Sequence, residues 1–265
     1  MRIAIWLATA GAALAQSPNL PVYRAPQAVD AIRIDGKLDE FSWASAPRVG
    51  PFRLIRDVAA RPKFSTEAAL VWDSQNLYAA FAIRDREPWS RMTNRDDRLW
   101  EEEVVEVFLD PDGDGKNYAE LEVNPQNVVV DLLIAYPRAP LEQSLRWDIA
   151  GLETAVSRHA AGWTVEILIP WKSLAAAGAK VAPSPGERWR VGLYRIKRPG
   201  GAAKADQIAA LLRELERSPE RKAEIEEKLR QLRSSDEFTA WSPTRVERGY
   251  HDPERFGIVA FVAAP

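Results

Sequence analysis

The chain contains no cysteine. No disulfide can brace it, and a lipid anchor attached at a cysteine is excluded, so stability must come from burial of a core. Only two histidines are present, His159 and His251, far apart in sequence and without metal-ligand partners beside them. There is no excess of positive charge: the formal net charge is −2 over 265 residues. With no basic stripe either, nucleic acid is not an expected partner. Nucleophile-elbow, P-loop and dinucleotide fingerprints are missing. The apolar run Ile3–Leu14 is too short to span a bilayer comfortably.

That run has another use. Arg2 gives a positive start, the apolar stretch follows, and Ala13-Leu14-Ala15 fits an A-x-A cleavage site. Residues 1–15 are therefore expected to be a signal peptide, leaving one domain over residues 16–265 in the periplasm or outside the cell. Cleavage would remove Arg2 and no acidic residue, bringing the charge from −2 to −3.

Most of the chain reads as short strands rich in β-branched and aromatic residues, punctuated by Gly, Pro, Asn and Asp. The expected strands are Val29–Ile34, Thr66–Trp72, Leu77–Arg84, Glu103–Asp110, Tyr118–Asn124, Val128–Ala135, Glu153–Ser157, Trp163–Ile169, Arg188–Ile196, Phe238–Ser242 and Gly257–Val262. About eleven strands with little helix between them predict an all-β fold, an antiparallel β-sandwich. Residues 202–235 break the pattern. Ile208, Leu211, Leu212 and Leu215 recur at helical spacing, as do Ile225, Leu229 and Leu232, and Ser218-Pro219 fits a helix start. The spacing predicts a helical hairpin inserted between two strands, either packing its own leucines or serving as a lid or a docking element for a protein partner.

The stretch "EVVEVFLD", with "YAELEV" after it, carries carboxylates inside apolar strands. Alternation sends Val105, Val107 and Leu109 one way and Glu106 the other, with Val104 and Phe108. Leu121 and Val123 turn inward on the next strand, leaving Glu120, Glu122 and Asn124 outside. Val128, Val130, Leu132 and Ile134 alternate with Asp131 on the third. The carboxylates are thus expected on the open, solvated face of a sheet rather than in the core.

The chain has ten tryptophans. Trp43, Trp72, Trp163, Trp171 and Trp189 read as structural, and Trp89 and Trp147 stay undecided. Trp100, flanked by charge in "DDRLWEEE", and Trp241, in "FTAWSPT", suit a different role. Sugars present C–H faces to aromatic rings and hydroxyls to carboxylates and amides, so flat tryptophans beside acids fit carbohydrate.

The segments "IDGKLDEFSWASAP", "ALVWDSQNLYAAFAIRD", "LWEEEVVEVFLDPDGDGKNYAELEVNPQN", "GWTVEILIPWKSL", "GERWRVGLYRIKRP" and "FTAWSPTRVERGYHDPERFGIVAF" follow one another in order. In that order the chain resembles family 9 carbohydrate-binding modules and their bacterial relatives. The resemblance implies a β-sandwich that often binds calcium structurally, and a pair of tryptophans that clasps a sugar end. Trp100 and Trp241 occupy positions similar to that pair. Glu102 or Glu106, Glu120 or Glu122, and Asn124 are the implied hydroxyl partners. The helical hairpin, just before Trp241, departs from the family pattern.

In "DPDGDG", Asp110, Asp112 and Asp114 are spaced like the start of a calcium loop, but the twelfth position is Leu121 where an EF-hand needs Glu. A loop-type calcium site or a plain turn remain. Three functions compete. The leading one is a non-catalytic carbohydrate-binding protein. The second is a glycoside hydrolase using two of the carboxylates, against which stands the expectation that an open face keeps them ionised. The third is a haem-binding sandwich with Met92 and His251 as axial ligands.

Overall fold

The computed structural model describes residues 19–136, 138–179 and 181–264. The expected signal peptide lies outside the described residues. Among the described residues, twelve strands build two sheets. The larger contains β1 (Val22–Pro26), β2 (Arg53–Leu54), β5 (Val104–Asp110), β6 (Tyr118–Val123), β7 (Val129–Ile134), β10 (Arg188–Lys197), β11 (Glu237–Ala240) and β12 (Gly257–Val262). The smaller contains β3 (Thr66–Trp72), β4 (Asn76–Ile83), β8 (Glu153–His159) and β9 (Gly162–Pro170). In the large sheet the order is β1-β12-β10-β5-β6-β7, with β11 and then β2 continuing from the far end of β10. The small sheet runs β3-β4-β9-β8. All pairings are antiparallel except β1 with β12.

The described residues also form the α-helices α1 (Phe41–Ser45), α2 (Leu141–Ser144), α3 (Gly201–Arg217) and α4 (Lys222–Arg233). The last two form the inserted hairpin between β10 and β11. Ile225 and Leu229 are its buried leucine-stripe positions on α4, whereas no residue of α3 is fully buried. The ion pairs Arg91–Asp206 (2.6 Å) and Lys204–Asp236 (2.6 Å) fasten α3 to the sandwich.

Ten of the expected strands have a counterpart. Val29–Ile34 does not form one, while β1 and β2 were not anticipated. β1 alternates exposed and buried positions, with Tyr23 and Ala25 inward, and Tyr23 Oη donates to the carbonyls of Leu70 and Pro47. The tight turn at Asp73–Asn76 forms because the Asp73 carboxylate accepts the N–H groups of Gln75 and Asn76, both at 2.7 Å.

Three apolar clusters explain the layers. Between the sheets, Val105, Val107, Leu109 and Leu121 meet Leu70, Phe81, Val165 and Ile167. Outside the small sheet, Trp43 on α1 packs on Ala69, Val71 and Tyr78, its indole N–H donating to Glu166 at 2.7 Å. The outer face of the large sheet carries the third, in which Val104, Phe108, Leu132 and Tyr194 lie beneath Tyr250 and Phe256. That third cluster overturns the expectation of an open face. The segment after β11 folds back over the sheet and shields it from water.

Candidate functional site

Register decides which acids meet. Glu106 on β5 pairs directly with Glu122 on β6, and Phe108 pairs with Glu120. On β7, Val130 and Leu132 stand opposite Glu122 and Glu120, so they share the carboxylate face, whereas Asp131 stands opposite Leu121. Asp131 is buried on the other side, ion-paired with Arg95 and accepting the N–H of Ile149 at 2.6 Å.

Glu106, Glu120 and Glu122 are 2%, 5% and 1% exposed, and a carboxylate oxygen from each lies within 4.8 Å of the others. They form one wall of a cavity of about 390 Å³. Trp100, Phe238, Tyr250 and Phe108 supply aromatic lining, and Arg138, Ser144, Arg198 and His251 complete its polar lining. Sequence reasoning missed Arg138, Arg198, Phe238 and Tyr250 as site residues and named His251 only as an axial ligand of the haem reading. These positions come from segments remote in sequence, and of them Tyr250 and His251 arrive through the folding-back after β11.

Burial dominates the electrostatics. Desolvation, with mutual repulsion, raises Glu106 and Glu122 well above the usual carboxylate range, and desolvation brings Glu120 up to about 7 against a hydrogen bond with Glu122 and the charge of Arg138. The three titrate as a unit rather than as independent groups. His251 is pushed the other way, to about 4, by burial and by Arg138. Its Nδ1 is 2.8 Å from Tyr118 Oη and 3.9 Å from Glu120 Oε2. The imidazole is therefore neutral near pH 7 and cannot balance the acids. Arg198 is also committed elsewhere: Nη1 donates to Asp236 at 2.8 Å and Nη2 to the Trp100 carbonyl at 2.9 Å. Glu120 Oε2 and Glu122 Oε2 are buried without a hydrogen-bond partner.

The other expected site residues lie elsewhere. Glu102 accepts from Ser90 Oγ (2.8 Å) and from the N–H of Arg91 (2.7 Å), and it borders a second cavity with Trp89, Met92 and α3. Asn124 is a turn residue. Its Nδ2 donates to Ser90 Oγ and the Met92 carbonyl, and its Oδ1 accepts from Gln126 and Val128, so no hydrogen-bonding capacity is left for a ligand.

Trp241 does not face Trp100 across the cavity. Its ring packs against the inter-sheet core, its Nε1 donates to the Val191 carbonyl at 3.1 Å, and a Cβ added at Gly257 would meet it at 2.1 Å. Glycine at 257 makes the seat for that indole, which corrects the two-tryptophan clasp. Met92 borders the cavity beside the hairpin while His251 borders the carboxylate cavity, so this pair does not face one haem site. The expectation that the acids are solvated is likewise reversed by their burial.

Asp110, Asp112 and Asp114 each offer a carboxylate oxygen within 4.8 Å of the others. Hard oxygen donors at that spacing fit calcium. The loop also closes on itself, since Asp110 accepts the N–H groups of Gly113 (3.1 Å) and Gly115 (3.0 Å).

A family model described as carbohydrate family 9 binding domain-like matches residues 34–188, more than half of the chain. Comparison with curated proteins gives no match. Among solved structures, a carbohydrate-binding module of family 9 from Caldicellulosiruptor kristjanssonii in complex with cellotriose is similar, with 14% identity and a TM-score of 0.59. That match covers 92% of this chain and 95% of the other. A glucose complex of a family 9 module from the same organism aligns at 15% identity and a TM-score of 0.56, covering 91% and 97%. A crystal structure from Bacteroides uniformis aligns at 15% identity and a TM-score of 0.60, again covering 91% and 97%. At such identities the likeness is one of fold.

Proposed function

The chain belongs to the carbohydrate family 9 binding domain-like family, and from that premise we propose that it binds a sugar in the carboxylate cavity without transforming it. The observation that carries this reading is a cavity of about 390 Å³ in which aromatic rings adjoin buried carboxylate oxygens lacking partners. A pyranose supplies what both need, C–H faces for the rings and O–H donors for the oxygens. Trp100, Tyr250 and Phe238 are assigned the apolar contacts, and Glu106, Glu120 and Glu122 the hydroxyls. Glucose and cellotriose, held by the similar modules, are the first ligands to try.

A hydrolase reading draws support from the raised carboxyls. Yet the three acids stand on adjacent strands of one wall, whereas glycosidase carboxyls flank the bond they cleave.

Two tryptophan substitutions test the site. Trp100→Ala is expected to weaken sugar binding about tenfold or more in titration calorimetry while the fold persists, since one ring covered by a sugar contributes about 1–3 kcal/mol. Trp241→Ala is expected to do the reverse. Loss of a packed indole lowers stability by roughly 3 kcal/mol, with binding retained. Unchanged sugar affinity in a folded Trp100→Ala protein moves the site elsewhere.

Calcium at Asp110, Asp112 and Asp114 belongs to the same proposal, on the strength of the acidic loop. A loaded site gains stability by mass action, about 2.7 kcal/mol at a hundredfold excess over Kd. Melting curves with calcium and with EDTA that coincide would remove it. Export with cleavage after Ala15 is the remaining part, supported by the charged start, apolar run and A-x-A site. N-terminal sequencing of the exported form checks it.

A further inference from the structure

Buried acids elsewhere in this chain have partners. Asp85 and Glu103 face Arg195 and Lys197, Asp131 faces Arg95, Asp236 faces Arg198 and Lys204, and Asp252 faces Arg245. Glu166 accepts from the Trp43 indole and the Gly36 N–H. This is the ordinary rule, because an unpaired charge taken out of water is strongly unfavourable.

Glu106, Glu120 and Glu122 differ in having no cation beside them, only one another and the Trp100 N–H at Glu122. Among the described residues no lysine or arginine lies within ion-pairing distance of the three, and the nearest basic group is His251, 3.9 Å from Glu120. Two of their oxygens have no donor at all. Three carboxylates crowded into one wall of the cavity, two of their oxygens buried without a donor, are arranged for a positive charge that arrives with the ligand.

We propose that the cavity selects sugars carrying a protonated amine, a hexosamine unit, whose ammonium group sits among Glu106, Glu120 and Glu122 while its ring lies along the aromatic lining. The inference rests on the sugar-binding reading above and names the substrate class of that site. An ammonium brings one charge and three N–H donors to a wall rich in acceptors. A neutral hydroxyl brings one donor and no charge, and an N-acetyl group brings bulk and no charge. The rest of the lining favours an organic cation over a bare metal ion. Calcium takes 6–8 oxygen ligands, whereas the walls beyond the three acids are mostly rings and aliphatic side chains such as Leu132 and Ile196. Those surfaces suit pyranose C–H groups and add cation–π attraction.

The test is titration calorimetry on the full chain at low salt near neutral pH, in a buffer free of amines, with glucosamine, glucose, N-acetylglucosamine and calcium chloride as separate titrants. Glucosamine is expected to bind at least about tenfold tighter than glucose or N-acetylglucosamine, the scale of one charge-assisted hydrogen bond. Glu122→Gln and Glu106→Gln are each expected to bring the glucosamine-to-glucose ratio toward one. Glucose binding as tightly as glucosamine would overturn the amine preference and leave the sugar reading standing. Failure of every sugar, glucose and cellotriose included, would overturn both. Calcium binding that Glu122→Gln abolishes, with no preference for the amine, would mark the acids as a metal site and overturn the proposal. If either variant fails to fold, the comparison of titrants on the unmodified chain decides.

Discussion

Lys197→Met is expected to lower the melting temperature by roughly 10 °C. Leu193, Arg195 and Lys197 lie on the same face of β10, so two charged side chains enter the sandwich behind an apolar one. Arg195 and Lys197 are 1% and 2% exposed. Lys197 Nζ reaches Asp85 at 2.9 Å and Glu103 at 2.8 Å, and Arg195 Nη2 reaches Asp85 at 2.5 Å. Asp85 follows β4 of the small sheet and Glu103 precedes β5 of the large one, so the four groups tie the two sheets together at one end. Two cations and two anions balance.

Removing one cation leaves a buried anion uncompensated, which is worth about 3–5 kcal/mol. For a domain of this size each kcal/mol moves the midpoint by about 2–4 °C. Glu103, which burial already holds at about 7 against the pull of Lys197 and Arg195, would rise further in the variant. The loss should therefore be larger in alkaline than in acidic buffer. The double variant Lys197→Met/Glu103→Leu should recover part of the stability, because the pair is coupled. A single variant melting within about 2 °C of the wild type would show that the network does not join the sheets.

The second large effect concerns pH. Glu120→Gln is expected to be more stable than the wild type at about pH 8 and indistinguishable from it near pH 4, by melting in amine-free buffer. The sign follows from the direction of the shift. Burial lifts the Glu120 carboxyl from 4.5 to about 7 in the folded chain, so across that window the folded state holds a proton that the unfolded state has released. Stability is complete below the unfolded value and is lost as pH rises through the folded one. For a shift of this size the loss is roughly 3 kcal/mol, and an amide in place of the carboxyl avoids it.

The groups facing Glu120 are Glu106 on β5, Glu122 on β6, Tyr194 on β10, Tyr118, Arg138, Arg198, Tyr250 and His251. Glu106 and Glu122 reinforce the slope. His251, lowered to about 4, opposes it, since stability tied to its neutral form grows between about 4 and 6.5. Only the difference between variant and wild type isolates the acid. Parallel curves at all pH values would mean that Glu120 ionises freely, and the covered site would be wrong.

Local pattern carried much of this fold. Alternation along Val104–Asp110 and Tyr118–Val123 assigned Glu106, Glu120 and Glu122 to one face, and the register of β5 with β6 keeps them there. Helical spacing over 202–235 placed the hairpin, and Asp73 announced its turn by a side chain that satisfies N–H groups two and three residues on. These features depend on interactions within one element or between neighbours, so the sequence carries them directly.

What lies over a sheet face depends on residues far away in the chain. An acid between Val and Phe reads the same whether water or Tyr250 stands above it, and the covering of that face by Tyr250, His251 and Phe256 turned solvated carboxylates into a buried cluster that holds its protons to higher pH. Trp241 looked like a platform because its neighbours in sequence are polar, yet Gly257 leaves a space beneath it that only strand pairing reveals. The strand Val29–Ile34 failed for the same reason. Its residues suit an extended chain, but the edge beside β12 was taken by Val22–Pro26, whose Tyr23 hydroxyl reaches Leu70 across the sandwich. Propensity is a property of a segment, whereas a ladder partner or a cover is a property of the whole fold.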